Sequence, residues 1–129
     1  MKVVCESNNL LDFNDHFSVE RVKKYISLSD GQLNLEKNKE YCVYGIVFRD
    51  NSPWYYLCSD DDQSPTAYPA ELFRITDGRL SSYWRVSPQE SSLVVGEWAK
   101  DRSFYERLVE GDPKVVELFE KYRELMNRE

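Results

Sequence analysis

The sequence predicts an α+β domain: a small, strongly curled antiparallel sheet or barrel with C-terminal helices packed on it. Three observations carry that expectation. Between Leu33 and Val86, short β-favouring runs alternate with turn signals. From Asp112 onward the apolar residues form one stripe at helical spacing. Aromatic residues, 14% of the 129, crowd the middle of the chain more densely than a tiny barrel can enclose.

Val3-Val4-Cys5 reads as a short strand, followed by the turn-forming Ser7-Asn8-Asn9. Ser18 is a candidate N-cap for a helix carrying Val19, Val22 and Ile26 on one face, with Glu20 and Lys24 as an i,i+4 pair; the same letters tolerate a strand. Asp30-Gly31 is a turn, and the β segment spans 31–86. In it, Leu33 and Leu35 alternate with polar residues as a strand does. Lys37-Asn38-Lys39 then turns the chain into Tyr41 to Phe48, a run apolar on both faces that should be covered on both sides. Arg49 to Pro53 reads as a hairpin loop and Trp54 to Cys58 as the returning strand. Glu71 to Ile75 follows as another strand, and Asp77-Gly78 as a second hairpin signal feeding Leu80 to Val86. Gly45 reads as a bend where a small sheet closes on itself.

Residues 87–129 read as mainly helical. Ser87-Pro88-Gln89-Glu90 has the serine, proline and glutamate of a helix start, although Leu93-Val94-Val95 suits a β segment. Asp101 to Val109 places Phe104, Tyr105 and Leu108 on one side, and Gly111 ends it. Asp112-Pro113 opens the clearest helix, with Val115, Leu118/Phe119, Tyr122 and Leu125/Met126 on a stripe that must be buried, most simply across the sheet. With no linker, repeat or low-complexity tract, the expectation is one domain over 1–129.

Charge and motifs narrow the function. Lys and Arg number 17 against 23 Asp and Glu, a net charge of −6, which argues against a phosphate-backbone reader and favours solubility or a basic protein partner. No membrane is expected, since apolar stretches such as Val43 to Phe48 fall far short of the roughly 20 residues of a span. Met1 to Ser7 has no signal-peptide run. Cys5, Cys42 and Cys58 are odd in number with no Cys-x-x-Cys pair, which suits reduced buried thiols and a cytoplasmic location; a Cys42–Cys58 bridge is the alternative. His16 is the sole histidine, so no multi-histidine metal site or histidine relay is expected. Asp60-Asp61-Asp62 lacks the alternating ligands, glycine and distal glutamate of a calcium loop, and reads as a solvated loop or a contact for a basic partner. No catalytic residue, metal or cofactor is therefore expected. The rings between Tyr41 and Trp84 either lie under the C-terminal helices or form an exposed recognition surface. Alternation points Trp54 and Tyr56 one way and Tyr55 the other.

Leu33 to Tyr41 resembles the strand and diverging turn of Src-homology-3-like barrels. In the same comparison, Trp54-Tyr55 resembles their paired aromatics, and Tyr68-Pro69-Ala70-Glu71-Leu72-Phe73 their 3₁₀ turn before the last strand. The likeness covers roughly 31–86 and lacks the upstream Ala-Leu-Tyr-type strand. As a whole, with Tyr68 to Phe73 and Leu80-Ser81-Ser82-Tyr83-Trp84, the chain also resembles small acidic bacterial proteins among which immunity proteins are common. That resemblance implies a stoichiometric inhibitor whose negative surface covers a basic toxin site.

The functional expectation is thus a non-catalytic protein-binding module, most concretely an immunity-type inhibitor of a basic toxin or effector. Asp60, Asp61 and Asp62 would form its charged rim, and Trp54, Tyr55 and Tyr68 its anchors. Two alternatives stand beside it. One is a small ligand-binding domain or enzyme with a pocket of Tyr and a carboxylate. The other is a structural or regulatory subunit that forms a homodimer through Val115, Phe119 and Tyr122.

Overall fold

The structure, a computed structural model, describes residues 1–12, 16–25, 33–59 and 62–129. Its strands are β1 (Lys2–Cys5), β2 (Glu40–Cys42), β3 (Gly45–Arg49), β4 (Ser52–Leu57), β5 (Thr66–Pro69), β6 (Phe73–Asp77), β7 (Trp84–Ser87) and β8 (Ser92–Val95). The helices are α1 (His16–Lys23), α2 (Gly96–Lys100), α3 (Phe104–Val109) and α4 (Pro113–Asn127). The strands make two antiparallel sheets, one ordered β2-β1-β6 and the other β5-β4-β3-β8-β7, and the described residues close no barrel. The α+β class holds, with the helices mostly C-terminal.

Two corners join the sheets. Val43 and Tyr44 carry the chain from β2 to β3, and their backbone N–H groups donate to the Met1 carbonyl (3.0 Å) and the Tyr56 carbonyl (2.9 Å), one in each layer. The 3₁₀ turn Ala70–Leu72 makes the matching step from β5 to β6. The β3–β4 hairpin closes through Asp50 and Asn51, both left-handed at φ 51° and 62°. This two-residue geometry matches the twist of paired strands. Gly45 is no bend. It lies in β3, between β4 and β8, where a Cβ would come within 2.9 Å of Val94 Cγ1 and 3.2 Å of the Leu93 carbonyl oxygen.

Several local expectations give way to longer-range pairing. Leu33 and Leu35 are buried but not a strand, because the Leu33 N–H donates to the Asn8 carbonyl (2.8 Å) and the Leu35 carbonyl accepts from Asn8 Nδ2 (3.0 Å), outside any ladder. Asp77-Gly78 is no hairpin: β6 pairs with β1 and β7 with β8, so 78–83 crosses between the sheets. The Ser87-Pro88-Gln89-Glu90 signal opens no helix either. Ser87 ends β7, Ser91 turns left-handed at φ 51°, and β8 pairs with both β7 and β3 before α2 begins at Gly96. Helix α1 starts at His16, two residues ahead of the predicted cap. Ile26, Asp30 and Gly31 lie outside the described residues.

Ring contacts run through the core. From β4, Tyr56 meets Trp98 of α2 (centroids 4.8 Å apart) and Tyr105 of α3 (5.4 Å), while Tyr55 faces Phe73 of β6 (5.9 Å) in the other sheet. The long helix follows its sequence signal. Asp112 caps it by accepting from the Lys114 N–H (3.1 Å), and Val115, Phe119 and Met126 go inward, with Phe119 edge-on to Tyr44 at 5.8 Å. No helix among the described residues is long and apolar enough to cross a membrane.

This burial sets a response to alkali. Desolvation pushes the Cys58 thiol, ordinarily 9.0, up to about 12, and the phenols of Tyr44, Tyr56 and Tyr68, ordinarily 10.0, up to about 12. Each group keeps its proton in the fold to a higher pH than in the unfolded chain. Their contribution to stability is therefore complete below about pH 9 and is lost as pH rises toward 12. Urea midpoints should hold level from pH 7 to 8 and fall progressively above about pH 9. A flat profile to pH 11 would contradict the burial of these groups.

Candidate protein-interaction surface

The predicted anchors do not reach the surface. Trp54 is 0% exposed and Tyr55 and Tyr68 are each 6% exposed. Trp54 is enclosed by the Tyr25 ring edge-on at 5.2 Å and by the Arg49 guanidinium 5.0 Å from its centroid. With Tyr56 beneath α2 and α3, the helices and Arg49 cover the face of β4 that was a candidate recognition patch. The three residues are withdrawn as contacts, because the layers need those rings as packing.

The acidic triplet is only partly placed. Asp60 and Asp61 lie outside the described residues. Asp62 is half-buried, and its carboxylate accepts from the Ser59 N–H (3.0 Å) and from the Ser59 hydroxyl. Its carbonyl takes a hydrogen bond from Arg123 Nη1 (2.8 Å). It thus ties its own loop to α4, beside an open depression of about 270 Å³ that includes Leu33, Lys39 and Tyr41.

The self-association stripe is likewise used internally. Val115 is 4% and Phe119 0% exposed, so neither can meet a second chain. Tyr122 alone reaches the surface, where its hydroxyl donates to Glu97 Oε2 at 2.6 Å. That bond holds the proton on the phenol and lifts its pKa to about 12.

The thiols belong to the packing. Cys5, Cys42 and Cys58 are free, and burial raises all of them, which keeps them protonated at neutral pH. Among the described residues, no group of three or more His, Cys, Asp or Glu could hold a metal ion.

A surface feature that pairs negative charge with exposed apolar area lies elsewhere, beside α3. There an open depression of about 460 Å³ is lined by Glu90, Arg102, Tyr105, Glu106, Val109 and Glu110. Glu90 comes from the 88–91 turn, and the others from α3 and its two flanks. Helical spacing sends Phe104 and Leu108 into the core, which leaves Val109 59% exposed. The Tyr105 hydroxyl donates to the Pro65 carbonyl at 2.6 Å, fixing its ring as one wall. Arg102 is the one cation of this lining, against Glu90, Glu106 and Glu110, and its Nε donates to Gln89 Oε1 at 2.7 Å. Carboxylates therefore predominate around an aliphatic floor. The sequence held a signal for this site: Glu106 and Glu110 flank Val109, which lies off the Phe104/Leu108 face. The denser Asp60–Asp62 run drew the reading away from it.

Comparison with known proteins finds no matching family model, no matching curated protein and no matching solved structure.

Proposed function

We propose that this chain is a non-catalytic protein-binding module, of the immunity-type inhibitor kind, that takes a basic protein at the α3 depression. The observation that supports the reading is the placement of Glu90, Glu106 and Glu110 around exposed Val109. An apolar contact rimmed by like charge is the arrangement in which rim electrostatics steer the encounter and the buried apolar centre holds the partner. The net charge of −6 adds a long-range field of the same sign. Within this proposal, the Src-homology-3-like character of 31–86 is confined to the Tyr68 to Phe73 turn, and proline-peptide binding forms no part of it. The ligand-pocket alternative can draw on the Tyr122–Glu97 pair, which sits in an open groove and not in a recess.

The test is capture from the source organism with the parent chain and with the double variant Glu106→Lys, Glu110→Lys. A basic protein should be retained by the parent at near-equal stoichiometry. It should be released as salt rises, and its affinity should fall at least about tenfold with the charge-reversed chain. Retention of the same protein equally by both chains would remove α3 as the site. Finding no basic partner at low salt would remove the function itself.

A further inference from the structure

A second surface carries the opposite charge. Strand β7 ends the five-stranded sheet, and the groove beside it, about 500 Å³, includes Tyr83, Arg85, Val86, Glu97, Lys100 and Tyr122. Most of the described arginines are neutralised: Arg21 pairs with Glu71, Arg74 with Glu6, Arg79 with Asp77, Arg107 with Asp101 and Asp112, Arg123 with Glu120, and Arg128 with Glu124. Arg85 is different. Its Nη1 donates to the carbonyls of Ser82 (3.0 Å) and Trp84 (2.7 Å), which fixes the guanidinium at the strand without cancelling its charge.

Neither Arg85 nor Lys100 forms a salt bridge among the described residues. In a chain with 23 acids against 17 bases, this groove carries two such cations against one carboxylate, Glu97. Glu97, the carboxylate of this groove, accepts the Tyr122 hydroxyl at 2.6 Å, and the Tyr83 ring lies edge-on to Tyr122 at 5.8 Å. Beside these fixed groups is Val86, 70% exposed, the most exposed large apolar side chain among the described residues. Tyr and Arg around an apolar contact are the residue types that concentrate binding energy at interfaces.

We infer that this groove binds an acidic segment of another protein, its carboxylates meeting Arg85 and Lys100 and an apolar side chain covering Val86. Charge complementarity selects this occupant over a basic one. The inference does not rest on the α3 reading, because it uses different residues and the opposite sign of partner.

Amide spectra of the ¹⁵N-labelled chain, titrated with a Glu/Val hexapeptide and with its Lys/Val counterpart, provide the test. The Glu/Val peptide should shift resonances of 83–87 and 96–100 at about 1 mM. Arg85→Gln with Lys100→Gln should weaken that binding about tenfold and leave the remaining spectrum unchanged, whereas Glu106→Lys should not weaken it. The inference fails if the Lys/Val peptide shifts the same amides equally, if the shifts fall elsewhere, or if about 1 mM peptide produces none. Broadening of the groove with protein concentration alone would also overturn it, since the occupant would then be a second copy.

Discussion

Phe119→Ala should lower unfolding stability by about 3–5 kcal/mol, the range seen when a fully buried ring is cut back to a methyl group. Phe119 is 0% exposed and meets Tyr44, the corner residue between the two sheets, at 5.8 Å. The loss combines burial with a cavity at the seam between α4 and the sheets. Urea melts of parent and variant measure it, and the midpoint should fall while the parent's light scattering stays independent of concentration. If Phe119 served instead as a contact between copies, the variant would leave the monomer's stability nearly untouched and abolish a dimer. A loss below about 1 kcal/mol would remove Phe119 from the core.

Trp54→Ala should have an effect of the same size, about 3–5 kcal/mol, for a related reason. The indole is 0% exposed beneath Tyr25 and Arg49. Its removal leaves the guanidinium over a void and takes the Tyr25 ring contact from the hairpin, where Tyr25 and Lys24 still reach Asp50. Trp54→Phe sharpens the test. The indole Nε1 is buried with no hydrogen-bond partner among the described residues, so the phenyl ring keeps most of the packing and gives up no bond to them. That variant should lose well under half of what alanine loses. Equal losses would mean that the N–H, and not the ring, holds this corner together. Any binding defect in Trp54→Ala should track its unfolded fraction, because the side chain has no route to a partner.

The parts of this fold that were legible in the sequence are those fixed by neighbours within a few residues. The α4 helix could be read from Asp112, Pro113 and the 115–126 stripe because capping and periodicity are local. The β3–β4 hairpin could be read because its turn and both of its strands are contiguous. Ser87 to Glu90 misled because its local preference for starting a helix is outweighed by ladders from β8 to both β3 and β7. Asp77-Gly78 misled because the partner of β6 is β1, about seventy residues upstream. The candidate site was less legible still. Ring density marked Trp54, Tyr55 and Tyr68, but whether a ring faces the interior or solvent depends on residues of other elements, such as Tyr25 over Trp54 and Phe73 against Tyr55. Val109 was recoverable only by asking which side of its short helix was left over.

The position of β1 has a kinetic consequence. Val3 is flanked by Tyr41 on one side and Ile75 on the other, so the strand at the start of the chain is the middle strand of its sheet. Such distant pairings must close large loops before they gain any contact, which slows folding relative to a topology built from neighbouring hairpins. During synthesis this strand waits for residues 73–77 to emerge, and until then its hydrogen-bonding edge is open to any other nascent chain.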